Sequence, residues 1–166
     1  MTVGIGNPKV GMLSLLWASV DRAEHIATIH ARLFDPAWSA DEIRKMLDDP
    51  GISAFVATVD HPQEVIGFVI GRMAADEGEI LTIGVTPERQ NQGIGLSLVQ
   101  GLMRAFATAG VSKVYLEVAA DNISGRALYE KAGFATCGHR KAYYERPSGP
   151  PMDALTMRRD VVSVGA

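Results

Sequence analysis

Cysteine is scarce in this chain: Cys137 is the single one among 166 residues. A lone thiol can form neither an internal disulfide nor a metal site built from several cysteines, and such cysteine usage is typical of proteins from a reducing cytosol. We therefore predict a cytoplasmic location, and we expect Cys137 to be a small, buried, apolar side chain. The four histidines are far apart and have no metal-ligand spacing, so no metal site is expected.

Positive charge is also limited. Lys and Arg number 16 against 19 Asp and Glu, a net charge of −3, which gives no reason to expect a nucleic-acid partner. The apolar stretch at residues 10–20 is too short to span a membrane, which takes about 20 residues. It has the outline of a signal peptide, but Ser14 and Ser19 interrupt it and no clear cleavage site follows. We instead predict a first strand at Gly11–Trp17, and no membrane partner.

The chain does contain enough apolar sequence for a core. It is 47% hydrophobic and 21% charged, which is ordinary for a globular protein, and we predict a single domain over residues 1–166. Apolar residues at helical spacing and β-rich runs between turn residues define the elements. The predicted helices are 21–34, Ala40–Leu47, a long helix from Ile94 that stops at Gly110, and 122–132. The predicted strands are Gly11–Trp17, Ile52–Val59, 64–73, 80–85, 111–118, 134–144 and 154–159.

The order of these elements predicts the sheet. The strands at 80–85 and 111–118 are joined through a helix, so a right-handed crossover makes them parallel. The strands at 52–59, 64–73 and 80–85 are joined by turns, among them an acidic turn at 76–79, and are therefore antiparallel. The last two strands, joined by residues 145–153, form a final antiparallel pair. The sequence predicts an α/β fold with a mixed, mostly antiparallel sheet of about seven strands and about four flanking helices. Ser39 and Glu42 form a predicted capping box for the second helix.

The segment around which the chain is organised is QNQGIG, residues 90–95, which follows a strand and opens the long helix. The first backbone N–H groups of a helix have no carbonyl partners within it, and the helix dipole adds positive charge there. Gly93 and Gly95 lack a Cβ that would obstruct a bulky anion. We therefore predict that this helix start binds a phosphate-bearing ligand.

Two common phosphate-binding loops fit this segment poorly. A P-loop would continue with Lys and Ser or Thr, but Leu and Ser follow Gly95. The dinucleotide fingerprint matches at Gly93 and Gly95, and Glu117 stands near the position of its ribose-binding acid. However, Leu98 replaces the third glycine, and the loop at residues 86–92 is too long for the tight turn of that motif.

A third loop type, Gln-x-x-Gly-x-Gly after a strand, resembles that of the GCN5-related N-acetyltransferase (GNAT) family. A second match is LEVAADNISGRALYEKAGF, residues 116–134, which contains Asn122 and Tyr129. The resemblance covers nearly the whole chain. It implies a GNAT fold in which the two parallel strands splay apart and the cleft between them holds acetyl-CoA as cosubstrate, with no metal.

The resemblance also implies roles for individual residues. The loop amides would take the diphosphate, Asn122 the pantetheine arm, and the Val85 N–H the developing oxyanion, while Tyr129 would point at the thioester sulfur. Asn91 departs from the pattern, because a basic residue is usual there. The cofactor-binding residues so implied are Ile83, Gly84, Val85, Gln90, Asn91, Gln92, Gly93, Ile94, Gly95, Leu96, Asn122 and Tyr129.

Four segments narrow the resemblance within the family: 34–39 (FDPAWS), 116–118 (LEV), 140–144 (RKAYY) and the later Asp-Ala pair at 153–154. They resemble the bacterial ribosomal-protein-alanine N-acetyltransferases. This implies direct acetyl transfer to the N-terminal alanine of a small-subunit ribosomal protein. Glu117 would be the general base and Tyr129 the general acid. Three further residues are expected at the acceptor: Glu79, Tyr143 and Tyr144, although on an alternating strand only one of the two tyrosines can face the groove.

Other interpretations stay open at this point. An enzyme of the same fold could act on a small-molecule amine or a protein lysine, because acceptor choice resides in loops. A non-catalytic acyl-CoA-binding module is a different class, and it would need neither Glu117 nor Tyr129. Glu117 could equally be a solvated strand end, Tyr129 a packing residue, and the acidic turn at 76–79 an ordinary solvated turn.

Overall fold

The computed structural model describes residues 5–7, 11–60, 64–145 and 149–162. Every helix and strand expected from the sequence is present, and a short first strand is added. Of the hairpin turn that the sequence predicts at residues 60–63, residues 61–63 lie outside the described residues. The helices are α1 (Ala23–Leu33), α2 (Ala40–Leu47), α3 (Ile94–Thr108) and α4 (Ile123–Lys131). The strands are β1 (Ile5–Asn7), β2 (Gly11–Trp17), β3 (Ile52–Val59), β4 (Glu64–Ala74), β5 (Glu77–Val85), β6 (Lys113–Ala119), β7 (Ala135–Tyr144) and β8 (Met152–Asp160).

The strands form one mixed sheet in the order β1-β2-β3-β4-β5-β6-β8-β7. Among the described strands, β5 and β6 are the one parallel pair, and the other neighbours are antiparallel. The predicted mixed, mostly antiparallel sheet is therefore confirmed. The strand β8 lies between β6 and β7, because the closing hairpin folds back beside β6.

The sheet is covered on both faces, each by its own apolar cluster. One cluster joins the buried face of α3, including Leu98, Leu102 and Phe106, to the central strands. The other joins Ile26 of α1 and Ile43 of α2 to the opposite face. Burial on both faces explains why the central strands are nearly continuous apolar runs.

The N-terminus of α2 carries the predicted capping box. The Ser39 hydroxyl accepts a hydrogen bond from the Glu42 N–H (3.1 Å), and the Glu42 carboxylate accepts one from the Ser39 N–H (2.7 Å). Two donors that would otherwise lack partners are thus satisfied at the helix start. No helix in the described ranges is long and apolar enough to cross a membrane.

Two local predictions were wrong. The expected acidic turn at 76–79 is mostly strand, because β5 begins at Glu77 and the turn is confined to Ala75 and Asp76. Exposed Glu77 and Glu79 alternate with buried positions, and this period of two is that of a strand. Cys137, expected to be buried, is exposed, because it lies on the edge strand β7, where the register with β8 shifts.

Gly71 provides a test of how tightly α3 packs on the sheet. A Cβ at this position would lie 2.6 Å from the Phe106 ring and 2.8 Å from Leu102. We expect Gly71→Ala to lower the free energy of unfolding by about 1–3 kcal/mol, because overpacking displaces buried side chains. Urea unfolding measures this change. Gly138→Ala is the matched control, since its Cβ would make only ordinary contacts (3.4 Å) with Thr156. Equal effects of the two substitutions would contradict this account of the packing.

Candidate active site

The central feature of the site is the point where β5 and β6 separate. The two strands pair only from Glu77–Lys113 to Ile80–Leu116, and beyond that point β5 stays with β4 while β6 stays with β8. The separation coincides with a β-bulge: the β4–β5 register passes from Gly71–Ile80 to Ile70–Thr82, so Leu81 has no partner in β4. A bulge bends its strand and increases the local twist, which turns the end of β5 away from β6.

The separation leaves one backbone edge of β5 facing a cleft. The Thr86 N–H donates to the Ile66 carbonyl (2.8 Å). Because hydrogen-bonded and non-hydrogen-bonded pairs alternate in an antiparallel ladder, the peptide groups of Val85 and Ile83 point away from β4. The Val85 carbonyl accepts a bond from the Gln90 side chain (3.1 Å). The Val85 N–H is therefore directed into the cleft.

The start of α3 forms one end of the cleft. Gly93 has a φ of 81°, in the left-handed region, and a Cβ there would meet no atom within 4 Å. No side chain caps this helix, and the first helical bond runs from the Ser97 N–H to the Gly93 carbonyl (3.1 Å). The N–H groups of the three preceding residues, Ile94 to Leu96, thus have no helical acceptor.

The two glycines of the motif serve different purposes. Gly93 is needed for its backbone conformation and leaves open space in front of the helix. At Gly95, a Cβ would lie 3.3 Å from the Leu128 side chain of α4. The absence of a side chain at Gly95 therefore lets α4 pack against α3, which the sequence alone did not indicate.

Most of the predicted site residues line this one cleft, which has a volume of about 1010 Å³. Those in the lining are Ile83, Gly84, Val85, Gln90, Asn91, Gly93, Ile94, Gly95, Leu96, Glu117, Asn122, Tyr129 and Tyr144. Gln92 and Tyr143 are not part of the lining. Glu79 lies on the paired part of β5, opposite Tyr115, before the strands separate, and it does not line the cleft.

Asn122 presents an amide group to the cleft at the start of α4. Its Oδ1 accepts a bond from the Gly125 N–H (3.0 Å), which caps the helix and fixes the side chain. A Cβ on Gly125 would lie 2.6 Å from the Asn122 Nδ2. The glycine three residues after the asparagine therefore provides the room for this cap.

Glu117, Tyr129 and Tyr144 all line the cleft, and Tyr144 lies close enough to interact electrostatically with each of the other two. The Glu117 side chain is 24% exposed, and its carboxylate lies 3.3 Å from the Arg140 guanidinium. Tyr129 is 8% exposed, and burial, with a smaller contribution from neighbouring Tyr144, raises its pKa to about 12. Burial and the nearby negative charge of Glu117 also raise the pKa of Tyr144. One carboxylate and two neutral phenols are thus gathered at neutral pH.

The segment from α1 to α2 contributes aromatic residues to one wall of the cleft, which was not predicted from the sequence. The His30 ring lies 4.4 Å from Phe34 and 4.9 Å from Trp38, centroid to centroid, and its Nδ1 accepts a bond from the Trp38 N–H (3.1 Å). All three residues line the cleft. Burial lowers the pKa of His30, which keeps the ring neutral. The aromatic residues of the FDPAWS segment were the signal in the sequence.

Thr82 is a second residue that sequence reasoning missed. It follows the bulge on β5 and lines the cleft, and its buried hydroxyl has no hydrogen-bond partner among the described residues. A buried polar group without a partner is unusual in a native protein and calls for an explanation, such as a ligand or an ordered water. No sequence pattern distinguished this threonine from others on the strands.

Comparison with known proteins matches residues 19–134 to the model of the acetyltransferase (GNAT) family. The chain belongs to the GNAT family. It is 39% identical to the N-alpha-acetyltransferase RimI of Mycobacterium tuberculosis, over 83% of this chain and 86% of that protein. The predicted GNAT fold and N-acetyltransferase class are thereby confirmed, and enzymes of this family use acetyl-CoA.

Solved structures agree with this GNAT assignment. The ribosomal-protein-S18-alanine N-acetyltransferase from Escherichia coli superposes with a TM-score of 0.79 at 27% identity, covering 93% of this chain and 97% of that one. Arabidopsis thaliana NAA60, in complex with acetyl-CoA, superposes with a TM-score of 0.78 at 19% identity, covering 90% and 98%. At this lower identity the second likeness supports the fold alone.

Proposed function

We propose that this GNAT protein transfers the acetyl group of acetyl-CoA to the N-terminal α-amine of a protein, and that its acceptor is the N-terminal alanine of a small-subunit ribosomal protein. The observation that carries the proposal is the position of Glu117 and Tyr129 inside the cleft that the α3 start opens onto. The names of the Mycobacterium tuberculosis and Escherichia coli relatives support the acceptor. A ribosomal acceptor implies action in the cytoplasm, and the net charge of −3 gives no reason to propose a nucleic-acid partner.

The residues present fit acetyl-CoA. The uncapped N–H groups of Ile94, Gly95 and Leu96 suit a diphosphate, and the open space at Gly93 lets it approach. The free edge of β5 and the Asn122 amide suit the amide-bearing pantetheine arm, which can pair with a strand edge as a peptide does. We assign the coenzyme to the cofactor-binding residues of the sequence prediction, of which Gln92 does not line the cleft. When bound, acetyl-CoA supplies an acetyl group activated as a thioester.

Glu117 suits the role of general base for an α-amine. An α-amine has a pKa of about 8, against about 10.4 for lysine, so near pH 7 roughly a tenth of it is already neutral and a carboxylate suffices as the base. Glu117 accepts the proton of the attacking amine, directly or through a water molecule. The Arg140 contact (3.3 Å) orients the carboxylate.

Tyr129 suits the role of general acid. With a pKa of about 12, its hydroxyl keeps its proton at neutral pH and can donate it as negative charge develops on the leaving sulfur. The Val85 N–H, directed into the cleft, can stabilise negative charge on the carbonyl oxygen. Each role is thus filled by a group of this chain.

Tyr144 is the best supported of the three expected acceptor contacts, because it lines the cleft beside Glu117. Tyr143 is exposed and lies under the Arg140 guanidinium (5.0 Å), so we propose that it supports Arg140. Glu79 precedes the separation of the strands, and its position lends no support to an acceptor role.

The function is tested by release of free thiol from acetyl-CoA in the presence of a peptide that begins with alanine. We expect turnover that disappears when the peptide's α-amine is blocked beforehand. An N-terminally blocked peptide with an internal lysine and a polyamine are the comparison acceptors. Turnover on either of these but not on the free N-terminus would refute the proposed acceptor. Coenzyme binding without thiol release on any amine would refute the enzymatic role.

Tyr129→Phe tests the general acid. We expect kcat to fall by about 10²- to 10⁴-fold, because only the hydroxyl is removed, while calorimetry gives an unchanged Kd for acetyl-CoA. Tyr115→Phe is the matched control, since Tyr115 lies on the paired part of β6. A Tyr129→Phe enzyme with the wild-type rate would exclude the acid role.

Glu117→Gln tests the general base through the pH dependence of kcat/KM. We expect the largest loss near pH 6, where the acceptor amine is mostly protonated, and a smaller loss near pH 9, where it is mostly neutral. Glu130→Gln, at an exposed position of α4, serves as the control. The same loss at every pH would indicate that Glu117 has a structural role only.

A further inference from the structure

The hairpin of β7 and β8 contains a wide bulge beside the cleft. Arg140 pairs with Ala154 and Tyr144 pairs with Met152, so residues 141–143 of β7 stand opposite Asp153 alone. At the centre of the bulge, Ala142 has a φ of 53°. A residue with a Cβ seldom adopts this left-handed conformation unless its surroundings hold it there.

The Asp153 side chain holds Ala142 in this left-handed conformation. Its Oδ1 accepts a hydrogen bond from the Ala142 N–H (2.7 Å), and its Oδ2 lies 2.9 Å from the His139 Nε2. The Ala142 bond, and after it the His139 bond, lowers the pKa of Asp153. The Asp153 carbonyl also accepts a bond from the Ala120 N–H (2.8 Å), one residue beyond the end of β6. The backbone of Asp153 is thereby anchored beside the end of the strand that carries Glu117.

The residues at the two ends of the bulge connect it to the cleft. Arg140, on one side, contacts the Glu117 carboxylate (3.3 Å), and Tyr144, on the other, lines the cleft. Tyr143 lies between them, with its ring against Arg140 (5.0 Å) and edge-on to Tyr144 (5.3 Å). A change in the shape of the bulge would therefore move both contacts.

We propose that Asp153 is a positioning residue for acceptor binding: its carboxylate fixes the bulge at residues 141–143 and so sets the positions of Arg140, which contacts Glu117, and of Tyr144, which lines the cleft. This inference rests on the proposed function, because it treats that side of the cleft as the acceptor side. Asp153 does not line the cleft and acts only through Ala142 and His139. The coenzyme side, formed by β5 and the α3 start, does not depend on it.

The test compares Asp153→Ala with Asp153→Asn. An asparagine can still accept from the Ala142 N–H and donate to the His139 ring, whereas alanine can do neither. We expect Asp153→Ala to raise KM for the acceptor peptide about tenfold, as loss of a charge-assisted hydrogen bond predicts, and to leave KM for acetyl-CoA within about twofold. Asp153→Asn should stay within about threefold of wild type in both constants. Asp160→Ala is the control and should change neither, because Asp160 lies at the far end of the same strand, where its carboxylate is 3.5 Å from Arg158.

Three kinetic outcomes would overturn the inference: an unchanged peptide KM in Asp153→Ala, a parallel rise in KM for acetyl-CoA, or an equal defect in Asp153→Asn. Amide hydrogen exchange at Ala142 is a second measurement that needs no substrate, and it should accelerate about tenfold in Asp153→Ala but not in Asp153→Asn. If wild type fails to acetylate the peptide, the proposed function fails. The Ala142 exchange rate then tests by itself whether Asp153 fixes the bulge, and unchanged protection in Asp153→Ala would overturn the inference.

Discussion

The structure depends on an interruption of backbone pairing. After Ile80 and Leu116 the parallel strands β5 and β6 no longer bond to each other, although both continue. Unpaired strand edges inside a sheet leave donors and acceptors that a ligand must satisfy. The β-bulge at Leu81 accounts for the separation, and the buried, unpartnered hydroxyl of Thr82 directly after it marks the same region.

The groups that surround this opening divide into two sets with different chemistry. On one side, the uncapped start of α3 and the edge of β5 present N–H donors to an anion and an amide chain. On the other, Glu117, Tyr129 and Tyr144 present one carboxyl group and two phenols whose pKa values burial raises. This division fits the proposed transfer, in which the coenzyme occupies the first side and the acceptor amine reaches the second.

The agreement between sequence and structure is best where a local pattern has a local cause. The capping box of Ser39 and Glu42 and the glycine-opened α3 each involve residues that are neighbours in the chain, so the sequence predicted both. The errors arose where local composition was misleading. Charged Glu77 and Glu79 suggested a turn but occupy the exposed face of a strand. Cys137 lies on an edge strand, whose exposure depends on the final strand order.

The sequence by itself determined the kinds of elements, their order and the glycine-opened start of α3, because each depends on spacing along the chain. The two residues proposed for proton transfer came instead from the resemblance to a known family. Only the tertiary structure decided that Arg140 contacts Glu117 and that a Cβ at Gly95 would crowd the Leu128 side chain. It alone also decided that His30 and its aromatic neighbours line the cleft. These contacts join residues from different elements. Strand order, bulges and helix packing set their distances, and no pattern along a single segment contains that information.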